Sequence, residues 1–138
     1  MFLNVKGKVI EVENKSDSEG KTCVMGNKAH ATHQRWKVVY TSQEKGISTK
    51  GVNKDFGFHI GRPFYIRTRM GSGRAIEVTG GRNLVLKWKK WNSDSQQFYF
   101  DNATKTIKSQ QYKDRSLDIQ NSGKSSNMQV WNTNGRWW

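Results

Sequence analysis

Three kinds of side chain are spaced in this chain so that they can act together. Leu117-Asp118-Ile119 ends a short apolar run on a carboxylate, and Met128-Gln129-Val130-Trp131-Asn132 follows with an amide and an indole two residues apart. The same combination recurs as Arg74-Ala75-Ile76-Glu77-Val78, then Trp91, then Gln96-Gln97-Phe98. It recurs without the indole as Lys8-Val9-Ile10-Glu11-Val12 and Gln34-Arg35-Trp36. Carboxylates and amides bond hydroxyl groups, and an aromatic face stacks on apolar C–H faces. The same carboxylates are equally suited to capping backbone N–H groups in turns. A second group is basic: Arg82, Lys87, Lys89 and Lys90 are interleaved with Trp88 and Trp91. Cations between stacking rings suit single-stranded nucleic acid, an acidic or sulfated glycan, or an acidic protein tail. The plain alternative is a solvated strand face with lysine stems lying along it.

Catalytic and metal chemistry find no frame. His30 and His33 lie three apart in a loop near Cys23 and read as surface histidines rather than a ligand set. No nucleophile elbow surrounds any serine. Gly71-Ser72-Gly73 and Gly80-Gly81 lead into strands, whereas phosphate loops open helices. The chain reads as a non-enzyme with no cofactor and no metal.

The 138 residues suffice for one domain and one modest core. Only 33% of residues are hydrophobic, but 12% are aromatic, including six tryptophans, so a few large rings must supply the core. The formal charge of +13 attracts polyanions without naming one. A single cysteine, Cys23, excludes an internal disulfide and fits a reducing, intracellular setting. No apolar run approaches the roughly 20 residues of a membrane span, and Met1 to Lys6 is too short and polar for a signal peptide.

Short alternating runs separated by Gly, Asn, Asp and Ser clusters predict strands throughout: Val5 to Val12, Thr22 to Met25, Gln34 to Tyr40, Phe64 to Arg69, Ala75 to Val78, Leu84 to Trp88, Gln97 to Phe100, Thr106 to Ser109, Leu117 to Gln120 and Asn127 to Trp131. No stretch carries helical periodicity. Gln43 to Gly61 differs: with four glycines, several lysines, Phe56 and Phe58, it reads as a long loop or short hairpin. Exposed aromatics among lysines there would mark a partner contact.

The recurrence is periodic. Ile76 and Leu117 are 41 residues apart, and each follows the preceding strand's isoleucine, Ile66 or Ile107, by 10. Trp91 stands seven before Phe98, and Trp131 seven before Trp138. Ile10 precedes Ile76 by 66, a gap that residues 43–61 largely explain. Repeats of this length mean units that cannot bury their apolar faces alone. The division is repeat one 1–42, insertion 43–61, repeat two 62–101 and repeat three 102–138, sharing a core of Ile10, Ile76, Leu117, Trp36, Phe98 and Trp138.

With its repeat length, its Leu-Asp-Ile-type strand and Gln34-Arg35-Trp36, of which Gln96-Gln97-Phe98 is a softened copy, the chain resembles the ricin B-type lectins, β-trefoils with a Gln-x-Trp motif in each repeat. The resemblance implies an all-β, β-trefoil fold: a six-stranded barrel capped by three hairpins with pseudo-threefold symmetry. It also implies one glycan site per repeat. In the third repeat the matching positions are Asp118 as hydroxyl acceptor, Gln129 beside it, Trp131 as stacking platform and Asn134 in the loop. In the second they are Glu77, Lys89, Trp91, Asp94 and Gln96. The first has Glu11 but no platform, so no site is expected there. Nothing follows Trp138 to match the strands after Trp36 and Phe98, so the third repeat is expected to lack its last strand, as a segment of a longer chain would.

Two function classes follow. The first is a non-catalytic lectin-like module taking a glycan or glycoprotein. The second is a basic structural subunit docking onto an acidic protein assembly, with nucleic acid a less favoured partner because no RNA-binding signature is present. A hydrolase-attached binding domain would require sequence beyond these ends.

Overall fold

The computed structural model describes residues 4–5, 8–41, 51–90, 92–119 and 127–132. Eleven strands carry the fold among these. They are β1 (Asn4–Val5), β2 (Lys8–Val12), β3 (Cys23–Gly26), β4 (Trp36–Tyr40), β5 (Phe64–Thr68), β6 (Ala75–Thr79), β7 (Asn83–Lys87), β8 (Phe98–Asp101), β9 (Thr106–Ser109), β10 (Arg115–Ile119) and β11 (Met128–Asn132). The helical residues among the described ones form three short 3-10 turns, Glu13–Lys15, Thr32–Gln34 and Asp94–Gln96. No described helix is long and apolar enough to cross a membrane.

Among the described residues the named strands pair antiparallel throughout. One sheet runs β1-β2-β3, and the other runs β4-β5-β6-β7-β11-β10-β9-β8 and closes through Phe64 opposite Phe98. Three hairpins repeat: β2 with β3, β6 with β7, and β10 with β11. They also meet each other, Thr22 bridging Val85, Val24 bridging Asn127, and Asn83 pairing Gln129. Each hairpin therefore touches both others around one axis, and the architecture is a β-trefoil with pseudo-threefold symmetry. The expected absence of a last strand falls on residues 133–138, outside the described residues.

The shared core takes large apolar side chains from all three repeats. Ile10, Ile76, Trp36 and Phe98 are fully buried and Leu117 nearly so. Burying each such side chain contributes about 1.5–3 kcal/mol. Trp36 also carries a polar atom inside, which its Nε1–H satisfies by donating to the Ile10 carbonyl at 3.0 Å. Phe98, at the same place in the second repeat, brings no such atom and needs no partner. Trp138 lies outside the described residues.

The insertion corrects one expectation. Phe58 is 3% exposed and stacks against both Phe64 and Phe100, at ring separations of 5.5 and 5.2 Å. Phe56 leans on Phe100 at 5.9 Å. Val52 pairs with His59 to close a small turn, and Ile60 bridges Phe100. β5 pairs with the hairpin strand β6 near its C-terminal end, through Arg67, while Phe64 begins it. Phe58 thus fills the barrel at the end away from the hairpins, so these rings belong to the core and not to an exposed contact arm. Residues 43–50 lie outside the described residues.

Candidate functional site

The three carboxylates singled out by sequence occupy one register position. Glu11 stands opposite Val24, Glu77 opposite Val85, and Asp118 opposite Gln129. Two residues further along the return strand come Gly26, Lys87 and Trp131. Strand pairing therefore places Trp131 with Lys87 and Gly26, whereas the seven-residue offsets place it with Trp91.

The first hairpin is closed on itself. The Glu11 carboxylate takes His33 Nε2 at 3.2 Å and Gln34 Nε2 at 3.4 Å. It lies directly over Gly26, where a Cβ would fall 1.3 Å from Glu11 Oε1. Gly26 makes that approach possible, and no platform side chain can share the space. His33, expected on the surface, is 6% exposed because it packs against this carboxylate. Cys23 is wholly buried, and burial pushes its thiol up to about 12. Among the described residues no group of three His, Cys, Asp or Glu side chains is placed to hold a metal ion.

The second hairpin is tied in the same manner. Glu77, 8% exposed, accepts from Gln96 Nε2 and pairs with Lys90 Nζ, both at 3.1 Å. Gln96 is fully buried. Its Nε2 also donates to the Trp88 carbonyl at 2.7 Å, and its Oε1 accepts the Lys90 backbone N–H at 2.8 Å. Gln34 repeats this arrangement, donating to the Asn27 carbonyl at 2.6 Å and accepting from Ala29 N–H at 2.7 Å. In the first two hairpins the glutamine of the Gln-x-aromatic motif thus lashes the loop that follows to the hairpin's carboxylate. With both polar atoms committed inside, Gln96 presents nothing to a ligand. Asp94 opens a 3-10 turn at the surface. Trp91 lies outside the described residues, as does Asn134.

The third hairpin differs. Gln129 Nε2 donates to Asp118 Oδ2 at 2.8 Å, and Gln129 Oε1 accepts from Arg82 Nε at 2.6 Å. The amide orientation follows from chemistry: a guanidinium only donates and a carboxylate only accepts. Trp131 is on the same strand face as Gln129 and is 40% exposed. Ser116 is its cross-strand partner, so Asp118 lies diagonally across from the indole, within reach of one bound group. The Arg82 and Arg115 guanidinium carbons lie 4.9 and 5.9 Å from the indole centroid.

Arg82 reaches this face from another hairpin. Gly80 and Gly81 take φ of +60° and +70°, turning the β6–β7 connection so that Arg82 meets β11. Its carbonyl accepts the Val130 N–H at 2.8 Å. Arg115 Nη1 bonds the Gly81 carbonyl and locks the same turn. The basic group read from sequence is therefore divided. Arg82 serves the third hairpin. Lys87 ends β7, about 17 Å further along at strand rise. Lys89 covers the Tyr65 ring at 4.5 Å, and Lys90 holds Glu77. Trp88, 54% exposed, carries Arg74 on its face at 4.1 Å. Sequence reasoning missed Arg115 as a neighbour of Trp131, and only strand pairing reveals it.

No protein-family model and no curated protein matches the chain. Solved structures share its fold. The designed threefold-symmetric protein ThreeFoil is 19% identical with a TM-score of 0.71, over 94% of this chain and 84% of that one. The C-half of the earthworm R-type lectin, in complex with GalNAc, is 18% identical with a TM-score of 0.66, over 97% and 88%. The Polyporus squamosus lectin, bound to the epitope Neu5Aca2-6Galb1-4GlcNAc, is 13% identical with a TM-score of 0.62, over 99% and 45%.

Proposed function

We propose that this chain is a non-catalytic carbohydrate-binding module, lectin-like in action, and that its glycan site is the face of the third hairpin where Asp118 and Trp131 meet the ligand and the buried Gln129 positions Asp118. One observation carries the reading. Of three equivalent carboxylates, Glu11 and Glu77 are held by His33 and Lys90, while Asp118 is met by the neutral Gln129 amide beside a part-exposed indole. A sugar stacked on Trp131 by its C–H face would direct a hydroxyl to Asp118. The chain Arg82 to Gln129 to Asp118 would hold that acceptor still and so reduce the ordering cost of binding. The sugars bound by the earthworm and Polyporus lectins support a glycan as ligand class.

Glycan-array binding at low and high salt tests this. Wild-type protein should retain its neutral-glycan hits at high salt, and Trp131→Ala should lose about tenfold or more in affinity. Binding that vanishes with salt but survives Trp131→Ala would transfer the function to charge-driven docking on an acidic partner.

A further inference from the structure

The outer face of the β4–β5 pair carries a feature that the glycan site does not use. Lys37 and Arg67 stand directly opposite each other across the two strands. Like charges in that position repel. Arg69 follows on the same strand's exit, and with Thr68 and Gly73 these residues line a cavity of about 250 Å³. Among the described residues no carboxylate pairs with Lys37, Arg67 or Arg69. Arg67 is aimed by its own fold: its Nε donates to the Gly73 carbonyl at 2.7 Å, which leaves the Nη edge of the fork for another acceptor. Nearby, burial and then the charge of Arg67 hold the Lys89 amine below its ordinary value. A sequence gains nothing in folding from opposing two cations around an open cavity, but an anion seated there would reverse the repulsion.

We infer that the Lys37–Arg67–Arg69 cavity is a binding site for a sulfate or phosphate group. A guanidinium fork, a second guanidinium and an ammonium offer donors from several directions, which suits the several acceptor oxygens of a tetrahedral oxyanion better than the two of a planar carboxylate. The cavity holds more than a bare ion, so the group arrives as an ester on a larger ligand. This site lies on the barrel side, apart from the third hairpin, and does not depend on the glycan reading.

NMR titration of the full chain with glucose, glucose 6-sulfate, glucose 6-phosphate and the two inorganic ions tests the inference. Both esters should shift the backbone resonances of Lys37, Thr68, Arg69 and Gly73, glucose should not, and the esters should bind more tightly than the free ions. Preference for one ester assigns the source as sulfate or phosphate. Lys37→Gln with Arg69→Gln, two exposed side chains, should weaken ester binding about tenfold or more. Lys54→Gln with Lys113→Gln removes the same charge elsewhere and should change it less than about twofold. Equal weakening by both pairs, or ester-induced shifts that avoid the cavity, would overturn the site in favour of diffuse attraction. The wild-type shift map locates the bound ester even if a variant is unstable.

Discussion

Gln96→Leu separates a structural glutamine from a ligand-binding one. Gln96 is fully buried, and leucine fills similar volume, so the loss is chiefly of hydrogen bonds. Three disappear: to the Trp88 carbonyl at 2.7 Å, from the Lys90 N–H at 2.8 Å, and to Glu77 at 3.1 Å. Each net bond is worth about 1 kcal/mol, and the two backbone groups left behind are partly shielded from water. The expected cost is about 3 kcal/mol, or about 10 °C in Tm for a domain of this size. Urea unfolding followed by tryptophan fluorescence measures it, with the midpoint falling and the slope unchanged. Gln34→Leu should cost a similar amount, because it breaks the equivalent bonds to Asn27, Ala29 and Glu11. Glycan binding at the third hairpin should persist in both variants below their melting temperatures. A loss of less than about 1 kcal/mol would refute the lashing role. Lost glycan binding at unchanged stability would instead make Gln96 a ligand contact.

Gly26→Ala should expel the Glu11 carboxylate from its place and break its bonds to His33 and Gln34, costing about 1–2 kcal/mol. In a Glu11→Ala background the same change should cost much less, and additive losses in the double-mutant cycle would refute the clash. The Cys23 thiol, pushed up to about 12 by burial, stays protonated in the fold while the unfolded thiol ionises near its ordinary value. Stability from this group is therefore complete below about pH 8.5 and lost as pH rises toward 12. Cys23→Ala should flatten that decline, and a thiol reagent should label native protein only as fast as it unfolds. Burial alone would raise the Asp17 carboxyl, but hydrogen bonds from the Ser72 side chain and backbone and the charge of Arg74 outweigh it and hold it below the usual range. Its contribution is present above the unfolded carboxylate value and lost as pH falls through the lowered one, so Asp17→Asn should flatten the acid limb of a pH–stability curve.

The amino-acid sequence by itself determined the strands, their threefold recurrence and most of the shared core. Alternation along a strand depends only on neighbours in the chain, so Trp36 and Phe98 declare their burial locally, and Ile10 and Ile76 do so as the central residues of short apolar runs. It also marked Asp118, Gln129 and Trp131, which strand pairing does bring onto one face. What only the tertiary structure decided was who meets whom between hairpins. Arg82 stands among lysines in the chain yet bonds Gln129, 47 residues away, because the Gly80-Gly81 turn delivers it to β11. His33 looks like a loop histidine until Glu11 folds over Gly26 beside it. Phe58 reads as an exposed ring until the barrel offers Phe64 and Phe100 on either side. Lys37 and Arg67 become one basic site only when β4 and β5 pair in a register fixed by the closing barrel. Periodicity reports which face a side chain takes, while its partner across the fold follows from how the three hairpins close around their common axis.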